Sequence, residues 1–291
     1  MSLIDGLSHS PGFVVFAVAL LSLSVGSFLN VVAHRLPVMM EREWGHECRV
    51  LLAMPAVDEP EPLTLMKPAS RCPSCKAAIK PWHNIPVLGW LWLRGKCAAC
   101  GAGISVQYPL VEAATGALGA YVAWHFGWST QLLPALLLTY ALIALTLIDL
   151  KTLLLPDSIT LPLMWAGLVL ALFSIFAPPA DAIIGAAAGY LSLWSVYHLF
   201  RLLTGKEGMG YGDFKLLAAL GAWFGWQSLP LIILLSSVAG ALIGIGLIVF
   251  RKHDRQQPIP FGPYLAIAGW VMLVGGAPLT QAWLRWSTPG A

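Results

Sequence analysis

At 291 residues, 58% of them hydrophobic and only 11% charged, the chain holds far fewer charges than the roughly 25% usual for a soluble domain. A buried core cannot absorb that deficit, because a soluble surface must still be covered with polar groups, so a soluble globular protein is excluded and lipid must face much of the chain. The formal net charge of +3 is too small for a polyanion binder, which makes the lipid bilayer an expected partner and nucleic acid an unexpected one.

A bilayer crossing takes about 20 mostly apolar residues. Eight segments qualify with loose boundaries: 13–34, 107–127, 131–150, 158–177, 182–203, 213–227, 230–250 and 260–277. The predicted fold class is therefore an all-α polytopic membrane protein, with a small soluble domain between helices 1 and 2. Met1 to Gly12 has no Lys or Arg and so lacks the basic region of a cleavable signal peptide, which keeps the first segment as a real span. Within it, Gly26-Ser27-Phe28-Leu29-Asn30-Val31 precedes His34-Arg35-Leu36-Pro37. Polar Ser27 and Asn30 inside a span point to helix packing or to a polar pocket.

The stretch from 38 to 106 is polar and holds all five cysteines, four of them as Cys72-Pro-Ser-Cys75 and Cys97-Ala-Ala-Cys100. A piece of this size cannot build an ample core, and a metal staple is the usual remedy. Paired CxxC units separated by the 21 residues from 76 to 96 come close to zinc-ribbon spacing, and a closed four-thiolate shell makes the metal structural. Cys48 is left without a partner. The aromatic run Trp82 to Trp92 is expected either at headgroup level, where Trp is favoured, or in the core of the small domain. No internal repeat is evident.

Span two carries Glu112 just inside its start, an intramembrane carboxylate expected to meet Arg35 or a Lys, or to contribute to a site. Span three ends in Leu147-Ile148-Asp149-Leu150-Lys151, and span six opens with Gly208-Met209-Gly210-Tyr211-Gly212-Asp213-Phe214-Lys215. Span six is the shortest, and its Gly221 suggests a helix lying partly in protein rather than lipid. An ionisable residue at a membrane span costs roughly 2.5–3.5 kcal/mol at the centre on insertion scales, so each Asp is a functional candidate. Alone, Asp149 would pair with Lys151 and Asp213 would cap a helix. Together at one depth they form a dyad in which one carboxyl acts as base on a water and the other as acid toward a scissile carbonyl. Pro258-Ile-Pro-Phe261-Gly262-Pro263 reads as a rigid turn before span eight.

The basic residues orient the chain. Nine of the seventeen Lys and Arg fall between Arg35 and Gln107, and Lys151, Arg201, Lys206, Lys215, Arg251, Lys252 and Arg255 fall in alternate connections. Only Arg285 lands on the other face. Eight spans thus put sixteen of seventeen on one side, expected to be the cytoplasm.

These motifs together resemble the bacterial type IV prepilin leader peptidase/N-methyltransferase family of GxGD intramembrane aspartic proteases, and the likeness runs nearly end to end. Gly26 to Asn30 with Arg35 and Pro37 is similar to its methylation-associated motif, and the CxxC pairs to its zinc-type element. Asp149 with Pro156-Asp157, and Gly210-Tyr-Gly-Asp213-Phe-Lys215, are similar to its two catalytic segments. Pro260-Phe-Gly-Pro263 matches a late motif. The resemblance implies catalysis by Asp149 and Asp213, and a cofactor side comprising Gly26, Asn30, Arg35 and Glu112. It also implies one structural zinc on Cys72, Cys75, Cys97 and Cys100, and S-adenosylmethionine as co-substrate. The implied substrates are type IV prepilins and type II secretion pseudopilins, cut after a glycine and methylated on the new N-terminal residue, typically Phe. The implied location is the bacterial inner membrane with a cytoplasmic active face. The expected divisions are 1–37, 38–106 and 107–291. No Rossmann-type glycine fingerprint marks a cofactor site, so methyl transfer rests on the resemblance.

Two other classes compete. A proton-coupled transporter would use Asp149, Asp213 and Glu112 as carriers, but it would place them near the midplane on broken helices of repeated halves. A membrane-anchored zinc adaptor leaves GxGD unexplained.

Overall fold

Apolar runs become helices here because a backbone facing lipid must satisfy its own hydrogen bonds. The computed structural model describes residues 10–55, 62–251 and 260–287, and the chain divides into two compact units, Met1–Ser129 and Thr130–Ala291. All eight predicted segments are helical. Among the described residues, four helices are long and apolar enough to cross a membrane: Pro11–Leu51, Leu132–Thr152, Pro179–Thr204 and Trp226–Gly246, the last including a 3-10 turn at its start.

In the first unit, helix α1 (Pro11–Leu51) starts with Pro at its first position, where a missing N–H is harmless. It runs well beyond the predicted apolar span, through Pro37 to Leu51. Polarity ended the span at residue 34 but not the helix, because Met, Glu, Arg and Leu after Pro37 are strong helix formers. A 3-10 turn (Pro81–Asn84) and the short α2 (Leu88–Trp92) follow, then α3 (Gln107–Phe126). Helices α1 and α3 pack through small residues. A Cβ on Gly26 would stand 2.9 Å from Glu112 Cα and 2.9 Å from Thr115 Cβ, and one on Gly116 would stand 2.8 Å from Leu23 Cδ2. Such close backbone approach is the usual glue between membrane helices.

Between them the two CxxC turns are built alike. Cys72 N–H donates to Ala77 O and Cys97 N–H to Ala102 O, while Lys76 and Gly101 N–H donate back to Cys72 O and Cys97 O. Lys76 and Gly101 both have positive φ, 59° and 72°, and each turn closes with one antiparallel bridge, Arg71 to Ala78 and Lys96 to Gly103. Residues 71–79 and 96–104 are thus a short structural repeat. It escaped the sequence reading because only the two cysteines, one alanine and the closing isoleucine are shared.

The second unit comprises α4 (Leu132–Thr152), α5 (Asp157–Ala171), α6 (Pro179–Thr204), α7 (Tyr211–Phe224), α8 (Leu229–Arg251) and α9 (Gly262–Ser287). Helix α7 has 14 residues, about 21 Å, short of the ≈ 30 Å hydrocarbon core. Ten of its residues are buried, so it lies in protein as its length and Gly221 suggested. Gly185 of α6 and Gly221 of α7 meet so closely that a Cβ on either would strike the other's carbonyl oxygen. Gly167 of α5 receives the Trp223 ring, whose Nε1 donates to Leu163 O at 2.8 Å. Gly269 of α9 faces Leu220. The buried helix is held on three sides, and it carries Asp213.

Candidate active site

Asp149 sits in the last turn of α4 and is 5% exposed. That helix ends at Leu153, whose left-handed φ of 56° lets its N–H bond back to Asp149 O at 2.9 Å, a common helix stop. Asp213 is the third residue of α7 and is 7% exposed. The two carboxyls are near enough to repel each other electrostatically. Their partners differ. Asp149 Oδ2 accepts the Gly262 N–H at 2.9 Å, not Lys151. Lys215 Nζ instead grips both oxygens of Asp157 at 2.6 and 2.7 Å. Asp213 does not cap its helix: Gly210 holds the cap position, no side chain caps it, and Asp213 Oδ1 is buried without a hydrogen-bond partner. Leaving such an acceptor bare costs about 1–3 kcal/mol, which makes this oxygen a candidate to take up a proton, a water or a ligand.

Two residues of this site were not legible as such. Leu155 lodges between the two motifs: a Cβ on Gly212 would stand 2.7 Å from Leu155 Cβ, and one on Gly262 would stand 3.0 Å from Leu155 Cδ2. Gly262, read as part of a rigid turn, is an amide donor in a space with no room for a side chain, since its Cβ would lie 2.6 Å from Asp149 Oδ2. The glycines were the only signal. Pro258 and Ile259 of that motif, with Lys252 and Arg255, lie outside the described residues.

In the first unit, Gly26, Asn30 and Glu112 share the α1/α3 seam. Asn30 Nδ2 donates to Gly26 O at 3.3 Å and to Tyr108 O at 3.2 Å, while Asn30 Oδ1 is buried and unpartnered. Glu112 does not meet Arg35 or a lysine. Its Oε2 accepts the Val87 N–H at 2.7 Å. Arg35 instead clamps the chain ahead of Cys72, donating to Thr64 O at 2.9 Å and Pro68 O at 2.7 Å.

The four thiols of Cys72, Cys75, Cys97 and Cys100 lie within 4.8 Å of one another, with Cys72 and Cys100 sulfurs 3.9 Å apart. A tetrahedral shell with Zn–S of about 2.3 Å needs sulfurs about 3.8 Å apart, so the residues fit a metal. Backbone N–H groups of Cys75 and then Ser74 favour the Cys72 thiolate and lower that thiol to about 6. Cys48 lies exposed on α1. The aromatic run is not core: Trp82, Leu88, Leu91 and Trp92 are exposed, Trp92 by 75%. Of its tryptophans, Trp90 is tied back, with Nε1 donating to Ile104 O at 3.1 Å.

Comparison with known proteins decides the family. Residues 20–126 match the bacterial peptidase A24 N-terminal domain, and residues 136–245 match the type IV leader peptidase family. The chain is 55% identical to a prepilin leader peptidase/N-methyltransferase of Stutzerimonas stutzeri over 99% of both chains. It is 57% identical to one of Aeromonas hydrophila, over 98% of this chain and 99% of that one. It is also 54% identical to one of Pseudomonas aeruginosa, over 99% of each. The chain belongs to the prepilin leader peptidase/N-methyltransferase family. It is a membrane enzyme with two activities, an aspartic endopeptidase and an N-methyltransferase, and the transporter alternative finds no support among these relatives. No solved structure matches it. The two family matches fall one in each compact unit. The aspartate pair lies in the leader peptidase match. Gly26, Asn30, Arg35, Glu112 and the four cysteines lie in the other.

Proposed function

We propose that this prepilin leader peptidase/N-methyltransferase family member removes the basic leader of type IV prepilins and type II secretion pseudopilins after a glycine. It then methylates the new N-terminal residue, typically Phe, from S-adenosylmethionine. Asp149 and Asp213 perform the cut. The observation that carries this reading is the asymmetry of the pair: Asp149 is oriented by the Gly262 amide, while Asp213 keeps a bare buried oxygen. Neighbouring carboxyls share one proton. Asp149, already served by a donor, is the base that takes a proton from the attacking water. Asp213 carries its proton on the open Oδ1 and gives it to the scissile carbonyl oxygen. Collapse of the tetrahedral species breaks the C–N bond: the leaving amine takes the proton held by Asp149, and a hydroxyl of the tetrahedral carbon returns its proton to Asp213 as the carbonyl re-forms.

Methyl transfer belongs to the first unit on this reading. S-adenosylmethionine supplies an electrophilic methyl group to the substrate's free amine. Asn30 Oδ1, a buried acceptor without a donor, suits the ammonium group of that co-substrate, with Gly26 and Arg35 on the same helix, while Glu112 holds the Val87 backbone nearby. Zinc on the four cysteines is structural, one per chain. The chain crosses the inner membrane eight times with both sites at the cytoplasmic face, a reading supported by the sixteen basic residues that eight crossings gather on one side.

The assay is purified protein in detergent with a prepilin and S-adenosylmethionine, read by mass spectrometry. Two products are expected, the freed leader and a mature chain heavier by one methyl group. An intact prepilin sinks the proposal. With native thiols replaced, a Cys at position 253 should resist an impermeant reagent in intact cells and one at position 179 should react. The reverse pattern inverts the orientation.

A further inference from the structure

Val87 is the strained point of the first unit. Its φ of 61° and ψ of −52° lie where β-branched residues are genuine outliers. Leu88 N–H donates across it to Pro86 O at 2.6 Å. A bond from residue i+2 to i over a central residue of positive φ is the rare, strained kind of γ-turn, and such a conformation persists only where its surroundings hold it. The holder is Glu112. Its buried carboxylate, 8% exposed, accepts the Val87 N–H at 2.7 Å. The Glu112 backbone cannot drift away, because α1 presses on its Cα at Gly26. On the far side of the turn, Gly89 fits so tightly under the His83 carbonyl that no Cβ has room. Turn and α2 are thus fixed at both ends.

This strain sits beside the open acceptor. Asn30 reaches Tyr108 O, and Glu112 is one helical turn further along α3 on the same face. Gly26, one turn before Asn30 on α1, meets Glu112 Cα. Resting on the reading that the first unit transfers the methyl group, we propose that Glu112 is a positioning residue for that step: by holding the Val87 γ-turn it sets the Ile85–Trp92 segment in the conformation that methyl transfer requires. Glu112 acts on backbone and does not touch the co-substrate.

The distinction is testable because the two roles need different chemistry. A backbone holder needs an acceptor oxygen, which Gln also offers. A ligand for a cationic group needs the charge. Glycine adopts φ near +60° without strain, so a γ-turn centred on glycine no longer depends on the carboxylate. The measurements are methyl transfer to a pre-cut pilin, leader cleavage by the same preparations as a folding control, and amide hydrogen exchange over residues 85–92. Glu112→Ala should lower methyl transfer about tenfold and speed exchange at Val87 and Leu88. Glu112→Gln should retain most of the transfer. Val87→Gly added to Glu112→Ala should recover most of the loss, measured against Val87→Gly alone. If Gln is as damaging as Ala and Val87→Gly rescues nothing, Glu112 contacts the co-substrate and the proposal is overturned while the methyl-transfer reading stands. If Glu112→Ala leaves transfer intact but Asn30→Ala abolishes it, the proposal alone fails. If neither variant lowers transfer, the assignment of that activity to the first unit fails with it.

Discussion

Both units bury a helix-borne carboxylate and give it one backbone N–H from a distant segment, but they hold the donor in opposite ways. In the second unit the donor is Gly262 at the start of α9, bonded to Asp149 at 2.9 Å, and the absence of a side chain is what lets it come so close. In the first unit the donor is Val87, bonded to Glu112 at 2.7 Å, and there the residue is bulky and its φ is positive. A glycine donor leaves the carboxylate free to react. A strained donor makes the carboxylate a restraint. On the proposed roles, the same hydrogen bond serves chemistry in one unit and backbone geometry in the other.

The sharpest way to break this comparison is at the aspartates. Asp149→Asn and Asp213→Asn should each lower leader cleavage by about 10³-fold or more, since a shared proton is lost. Each should still methylate a pre-cut pilin. Cleavage within about tenfold of wild type by either variant removes the dyad, and loss of methylation by a folded variant merges the two sites.

Gly262→Ala comes next. Its Cβ would lie 2.6 Å from Asp149 Oδ2, so the carboxylate must shift, and a misplacement of about 1 Å costs about 10²-fold in turnover. Turnover of prepilin should fall with little change in KM, and methylation of a pre-cut pilin should persist. An equal fall in both activities would mean that Gly262 acts on folding alone.

The cysteine pairs should show a smaller, one-sided effect. Cys72→Ser with Cys75→Ser should remove the metal, raise proteolysis of residues 38–106, and lower methylation more than cleavage, because metal binding in a small domain is folding free energy. The pH dependence follows from Cys72. Its thiol is lowered from the ordinary 9.0 to about 6 in the metal-free cluster, so a thiolate ready to take up metal is present above that value and is lost as pH falls through it. Zinc uptake by the metal-free protein should be stronger at about pH 7.5 than at about pH 5, and equal uptake at both would contradict a thiolate site.

The smallest effect is expected at Lys215. It joins Asp157 at 2.6 Å, but the Asp157 side chain is 55% exposed, and exposed pairs contribute about 0–1 kcal/mol. Lys215→Gln should change cleavage by no more than about fivefold. A larger loss would bring Lys215 into the site itself.

Composition and hydropathy determined the membrane class and all eight helices, because lipid forces long apolar runs to satisfy their own backbone. The CxxC spacing determined the four-thiol cluster, because each pair of thiols is held by one local turn. Asp149 and Asp213 were legible because each stands at a helix end beside its own motif. What only the tertiary structure decided depends on long-range approach. The α1 helix continues past Pro37, since helix propensity outlasts hydropathy. Arg35 turns to the 64–68 backbone and Glu112 to Val87, although a charge rule would have paired them. Leu155 wedges between two glycines, and the Gly262 amide finds Asp149 across 113 residues. No local pattern encodes such contacts, because a backbone amide is the same in every residue and only the fold chooses which one a buried carboxylate meets.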